Sequence, residues 1–256
     1  MAVDLHYRKI GQGPPILILH GLFGSSDNWL SVAKELQHSY TLYLLDAANH
    51  GQSPHTSTFN YTDMVEDVKL FIEKNNLVGA PSIGHSMGGK TIIRLAATYP
   101  DIVGKLIVVD ISPRFYLRHH DTILEALSAV PINTLSSRTE ADSIVSKFID
   151  DIGVRQFLLK NLYRTEAGRF LWRINLPVIR DQIENVGEAL PEGSSITLPT
   201  LFIRGALSGY IEAKDESIIA NHFTNYSIQT VEGASHWVHA EKPQEVVRLI
   251  ETFLSK

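Results

Sequence analysis

Gly84-His85-Ser86-Met87-Gly88-Gly89-Lys90 is the stretch on which the fold turns. It contains G-x-S-x-G, a spacing too short to carry weight alone. Its surroundings give it weight. Ser82-Ile83 and its flanks read as a weak strand ahead of it, and Ile92, Ile93, Leu95, Ala96 and Ala97 read as a helix behind it. A serine on such a strand-to-helix turn is held in a strained conformation with its hydroxyl exposed, and the glycines let the turn be tight. The helix N-terminus beyond it offers unpaired N–H groups to an oxyanion. The bland alternative is a glycine-rich surface turn.

Working outward, Ile16–Leu19, Thr41–Leu45, Leu106–Val109, Thr200–Ile203 and Tyr226–Val231 are short apolar or β-rich runs. The unbroken apolar ones predict parallel strands covered on both faces. Met64, Val68, Phe71 and Ile72 repeat at helical spacing, as do Val246, Ile250, Phe253 and Leu254 behind Pro243. Alternating strands and helices predict an α/β fold with a doubly wound, mostly parallel sheet. The alternation stops after Asp110. From Ser112 to about Ser195 helix-like stretches dominate, such as Ile144–Phe148 and Phe157–Leu162, and no strand is expected. The organisation predicted is a core of residues 1–111 and 196–256 with a helical cap, residues 112–195, inserted into it.

Composition narrows the chemistry. The chain has 256 residues, net charge −5, 44% hydrophobic residues and no cysteine. That length suffices for a full core. The lack of cysteine excludes disulfides, thiolate metal sites and a cysteine nucleophile. The mildly acidic balance argues against general nucleic-acid binding. Every apolar run is strand-sized, so no membrane span is expected. Met1 to Gly13 lacks an apolar export core, and a cytoplasmic location is the expectation.

His20-Gly21-Leu22-Phe23-Gly24 follows the first apolar run and stands where a second oxyanion donor is expected. The donors predicted are the backbone amides of Leu22 and Met87, with His20 stabilising the turn. The base predicted is His236, in Gly233-Ala234-Ser235-His236-Trp237 after the last strand, with His239 as its rival. His236 and His239 also read as a metal pair, but nothing else supplies ligands at suitable spacing, and no metal is expected. His119-His120-Asp121 is a weaker metal candidate and reads as a solvated helix face. For the acid, Asp110 closes an apolar strand and keeps the chain order serine, acid, histidine. A carboxylate there is costly to bury without a partner. Glu212 and Asp215 are the alternatives, displaced toward a helix start. Asp46 also ends a strand and reads as a turn organiser.

These residues together resemble the α/β-hydrolase superfamily, and more narrowly the YbfF-like esterases. The segments that carry the resemblance are His20–Ser25, Asn49–Pro54, Gly84–Lys90, Val109–Pro113 and Gly233–Trp237. The resemblance implies that the acid sits at Asp110 and that Ser208 stands at the vacated acid position as an auxiliary hydroxyl. Ala48 departs from the pattern, since relatives usually carry Arg there. The resemblance implies hydrolysis of short-acyl carboxylic esters, and of acyl-CoA thioesters, through an acyl-enzyme and without a cofactor. The expected partner is therefore a small-molecule ester or acyl-CoA, and the oligomeric state is left open. Residues 155–180 carry six basic side chains against Glu166 alone, so Arg169 and Arg173, with Phe23, are candidate substrate contacts. The alternative for that run is a solvated helix face. Rival readings of the whole chain are a carbon–carbon bond hydrolase, a lyase or a cofactor-free haloperoxidase on the same fold, or a non-catalytic ligand receptor.

Overall fold

The computed structural model describes residues 1–256. Its strands are β1 (Tyr7–Gly11), β2 (Pro15–Leu19), β3 (Thr41–Leu45), β4 (Ser82–His85), β5 (Leu106–Val109), β6 (Leu162–Arg164), β7 (Phe170–Trp172), β8 (Thr200–Gly205) and β9 (Tyr226–Val231). Its helices are α1 (Leu30–Leu36), α2 (Tyr61–Lys74), α3 (Met87–Thr98), α4 (Asp121–Ser128), α5 (Arg138–Val145), α6 (Ile152–Leu159), α7 (Leu176–Asp181), α8 (Asp215–His222), α9 (Val238–Glu241) and α10 (Pro243–Leu254).

Seven strands form one sheet in the order β1-β3-β2-β4-β5-β8-β9. All its pairings are parallel except β1 against β3. β2, β3, β4 and β5 are buried along nearly their whole length, as unbroken apolar runs require. Two apolar clusters flank the sheet. One includes Ile92, Ile93, Val65 and Phe71 from α3 and α2. The other includes Val32, Leu36, Val246 and Ile250 from α1 and α10. Helices on both faces are what a parallel sheet needs to leave water.

Three strands escape sequence reading, each for want of a readable pattern. β1 is an edge strand, Tyr-Arg-Lys-Ile-Gly, with two of its five residues exposed and none buried, so it lacks an apolar run. β6 and β7 form a three-residue hairpin inside residues 112–195, where no strand was expected. Strands so short carry no periodicity to read. The helices in this region also begin earlier than the apolar stretches suggest. Ser137 and Asp151 cap α5 and α6 by accepting the N–H groups of Glu140 and Val154, and those caps set the starts.

The segment between β5 and β8 closes over the sheet with a third apolar cluster. That cluster mixes Leu127, Val145, Leu158 and Ile179 with Phe23, Tyr61, Met64 and Met87 from the loops and helices of the core. Polar ties reinforce it. Asn161 Nδ2 donates to the carbonyl of Phe23 at 2.7 Å, and Asn175 Nδ2 donates to Asn49 Oδ1 at 2.9 Å. Lys90, buried on α3, donates to the carbonyls of Arg114 at 2.9 Å, Gly187 at 3.1 Å and Glu188 at 2.5 Å. It thereby grips both ends of the overlying segment from the helix that begins at Ser86.

Candidate active site

Ser86 stands between β4 and α3 with φ 52° and ψ −116°, a conformation unfavourable for any residue with a Cβ. Close packing enforces it. A Cβ on Gly84 would come within 2.3 Å of the Gly88 carbonyl, and one on Gly88 within 2.6 Å of the carbonyls of Leu19 and His20. Only glycine at both positions lets α3 start directly against β2. Strain is concentrated here: Phe23 at φ 59° and Asp110 at φ 52° share the left-handed region with Ser86.

The amides of Leu22 and Met87, residues that line the same cavity as Ser86, have no protein partner. The neighbouring N–H, of Phe23, is already committed to His50 Nε2 at 3.2 Å. His50 in turn donates through Nδ1 to the Ala48 carbonyl at 3.0 Å, which fixes its tautomer. His20 is a turn residue, accepting from the Ala47 N–H at 3.0 Å and donating to the Gly21 carbonyl at 2.7 Å. Asp46 organises the adjacent loop, accepting from the N–H of Ser26 at 2.6 Å and of Gln52 at 2.9 Å.

Asp110, directly after β5, is wholly buried. Its Oδ1 accepts the Gly205 N–H at 3.0 Å, and its Oδ2 accepts both the Ser208 hydroxyl and His236 Nδ1, the latter at 2.8 Å. The parallel order β5-β8-β9 delivers Asp110, Ser208 and His236 from three successive strand ends to one place. Ser208 also accepts the Tyr210 N–H at 3.2 Å. His236 Nε2 has no protein partner, and Ser86 Oγ is not hydrogen-bonded to it. Such bonds are often loose without substrate and tighten when it binds.

The other histidines near by are excluded from the base's role by their surroundings. His85 donates through Nε2 to the backbone carbonyl of His236 at 2.8 Å, tying the serine turn to the histidine loop. Burial holds its imidazole well below the usual range, so it stays neutral. His239 is stacked on Trp29 at 4.3 Å and 13°, and burial pushes it down to about 3. It has no carboxylate partner, whereas His236 does. Tyr210 covers the outer face of His236, stacked at 3.9 Å and 19°, and its hydroxyl meets His119 Nε2 at 2.6 Å.

Neither alternative acid reaches the site. Asp215 is buried, not a surface cap: it accepts the Glu212 N–H at 2.8 Å and pairs with Arg114 at 2.9 Å. Glu212 pairs with Lys214 in the open. A narrow cavity opens beside Ser86, with Leu22, Tyr61, Ile111, Tyr116 and Val186 among its walls. Arg118, His119 and His120 line it too: His119 and Asp121 are solvent-exposed as the solvated-face reading expects, but His120 is partly withdrawn against the cavity. Arg169 and Arg173 lie outside that lining, on and just after the β6–β7 hairpin, and Arg173 covers the Tyr163 ring at 5.0 Å. Phe23 is buried in the cluster above the sheet, and likewise is not among the residues lining the cavity.

A family model for the alpha/beta hydrolase fold matches residues 14–141. The esterase YbfF of Escherichia coli is 36% identical over 244 residues, covering 94% of this chain and 93% of its own. The chain belongs to the α/β-hydrolase family, among the YbfF-like esterases. Within that family, the mouse sn-1-specific diacylglycerol lipase ABHD11 is 38% identical over 250 residues, covering 94% of this chain and 81% of its own. A solved structure of a marine microorganism esterase superposes with TM-score 0.95 at 40% identity, covering 98% of this chain and all of that one. In an α/β-hydrolase the nucleophile, acid and histidine follow one another along the chain, which is the order in which Ser86, Asp110 and His236 occur. The residues sequence reading passed over are Tyr210, His85 and Lys90, and it did not bring His119 and His120 to the site. Lys90 alone left a signal: a charged residue in a segment otherwise apolar.

Proposed function

We propose that this α/β-hydrolase cleaves short-acyl carboxylic esters, and acyl-CoA thioesters by the same route, with Ser86 as nucleophile. The observation that carries the reading is the pairing of His236 Nδ1 with the fully buried Asp110 beside the strained serine turn. With Nδ1–H given to the carboxylate, Nε2 is the unprotonated nitrogen and can take the serine proton. Ser86 Oγ attacks the acyl carbon. The Leu22 and Met87 amides receive the oxyanion, a role that unpaired N–H groups on fixed backbone suit without reorganisation. His236 returns the proton to the departing alcohol or thiol, and water repeats the sequence on the acyl-enzyme. Asp110 stabilises the imidazolium in both halves. Ser208 holds the carboxylate oxygen that His236 uses.

The test is labelling by a fluorophosphonate followed by a panel of esters and acyl-CoA thioesters of increasing acyl length. Labelling at Ser86, with turnover of short esters, supports the reading. An unlabelled, correctly folded protein that turns over no ester overturns it in favour of a ligand receptor on the same fold. Loss of acyl-CoA turnover alone removes the thioester half, for which the cap arginines, standing outside the cavity lining, offer no support.

A further inference from the structure

His120 is a polar group of the cavity that neither ester cleavage nor another protein group uses. It immediately precedes α4 and lines the same space as Ser86 and Met87. Its Nδ1 is buried without a hydrogen-bond partner, and Nε2 has none within the protein. The other histidines around the site are committed. His20, His50, His85 and His236 each hold a backbone or carboxylate group, and His119 bridges the Leu117 carbonyl and Tyr210. His239, the one other imidazole with a buried unpartnered nitrogen, is stacked under Trp29 and does not line the cavity. The ring of His120 is held in place, against His119 at 4.1 Å and edge-on to Phe23 at 6.4 Å.

Nδ1 has given up water without gaining a partner and leaves the ring short of polar contacts, while Nε2, unpartnered and not buried, is the nitrogen a ligand can reach. Burial pushes His120 down to about 4, so at neutral pH it is uncharged, with one donor and one acceptor to offer. The charges at the cavity's edge point the same way. Arg118 is paired with Asp121 and stands 3.9 Å from Glu184, so it is no free cation for a carboxylate. The cavity thus combines apolar walls with a neutral ring whose hydrogen-bonding capacity is unused, beside polar groups already engaged with one another.

We propose that His120 forms a subsite for an uncharged oxygen, a hydroxyl or carbonyl carried by the substrate beyond the scissile ester. The preferred substrates are then neutral, oxygen-bearing esters in place of plain alkyl or anionic ones. The inference rests on the ester-hydrolase reading of Ser86 and assigns that site its selectivity.

Two matched pairs test it: pentyl acetate against the monoacetate of butanediol, and methyl hexanoate against methyl hydroxypentanoate. They place the extra oxygen on the alcohol and acyl sides in turn, and monomethyl adipate supplies the anion. In one pair, His120→Phe should lower the preference for the hydroxylated ester about tenfold, the worth of one net hydrogen bond. The plain ester should stay within about threefold of the parent rate, and His120→Gln, which keeps a donor and an acceptor, should retain most of the preference. Equal losses on both members, an unchanged ratio, or preferential turnover of the adipate overturns the subsite. Failure of the unaltered protein to cleave any ester overturns the underlying hydrolase reading as well, whereas brisk turnover with an unchanged ratio overturns the subsite alone.

Discussion

Replacing Asp110 by Asn isolates the acid's role, because the structure dictates how the amide must sit. The carboxylate accepts three hydrogen bonds and has no exposed surface. The Gly205 N–H, at 3.0 Å from Oδ1, demands an oxygen on that side. The Asn Nδ2 is thereby turned toward Ser208 and His236. An amide NH₂ can donate to the Ser208 hydroxyl, but it cannot accept from His236 Nδ1–H. The imidazole must therefore present an unprotonated Nδ1 inward and carry its proton on Nε2, facing the serine. In that tautomer it cannot take the Ser86 proton, and no charge remains to stabilise an imidazolium. The expected loss of turnover is about 10³- to 10⁴-fold, equivalent to roughly 4–5.5 kcal/mol of transition-state stabilisation. Shape is conserved, so the far-ultraviolet circular dichroism should be unchanged. Stopped-flow acylation with an activated ester is the assay, since it reports the chemical step before product release. An Asp110→Asn acylation rate within about threefold of the parent, in a folded protein, refutes both the acid assignment and the tautomer argument.

Four further outcomes are expected. Ser86→Ala should abolish fluorophosphonate labelling and ester turnover while leaving the unfolding free energy within about 1 kcal/mol of the parent, because a hydroxyl at a partly exposed strained turn contributes little packing; retained turnover removes Ser86 as nucleophile. His236→Ala should be nearly as inactive as Ser86→Ala and the double variant no worse, whereas His239→Ala should cost about 2–4 kcal/mol of stability by emptying the space beneath Trp29; the reverse pattern in an ester assay exchanges their roles. Ser208→Ala should slow turnover only about tenfold, as one neutral hydroxyl is lost, and Asp215→Asn should lower the melting temperature through its buried pair with Arg114 while sparing turnover; a crippled Asp215→Asn with normal stability contradicts this. Finally, burial pushes His50 and His239 down to about 3, so the unfolded chain binds more protons than the folded one below the ordinary histidine pKa of about 6.5. Stability contributed by each is present above that pH and lost as pH falls toward the folded value, at up to about 1.4 kcal/mol per pH unit for each ring; denaturant midpoints that stay flat between about pH 7 and pH 5 rule this out.

The parts of this protein legible in its sequence are those set by short-range physics. Ile16–Leu19 and Leu106–Val109 announce buried parallel strands because a strand covered on both faces must be apolar throughout. The serine turn announces itself because its close approaches, Gly84 to Gly88 and Gly88 to Leu19, admit no Cβ, and that requirement is written as glycine. His236 and Asp110 could be named from the ends of the strands they follow. What the chain order alone left open was which acid and which histidine meet. β5, β8 and β9 lie side by side, so Asp110 contacts Ser208 and His236 across 98 and 126 residues of sequence, while Asp215 turns away into its pair with Arg114. The cavity wall was equally hidden. His119 and His120 sit in a polar stretch like any solvated helix start, and only the packing of the segment between β5 and β8 over the sheet brings them to the serine. The basic run of 155–180 shows the converse: its charge is plain in the sequence, yet Arg169 and Arg173 do not line the cavity. Local pattern reports how a residue meets the chain next to it, through sterics, period and caps. Whether a polar side chain ends in water or beside a nucleophile depends on which distant strand ends the sheet places together, and the sequence carries no nearest-neighbour signal for that.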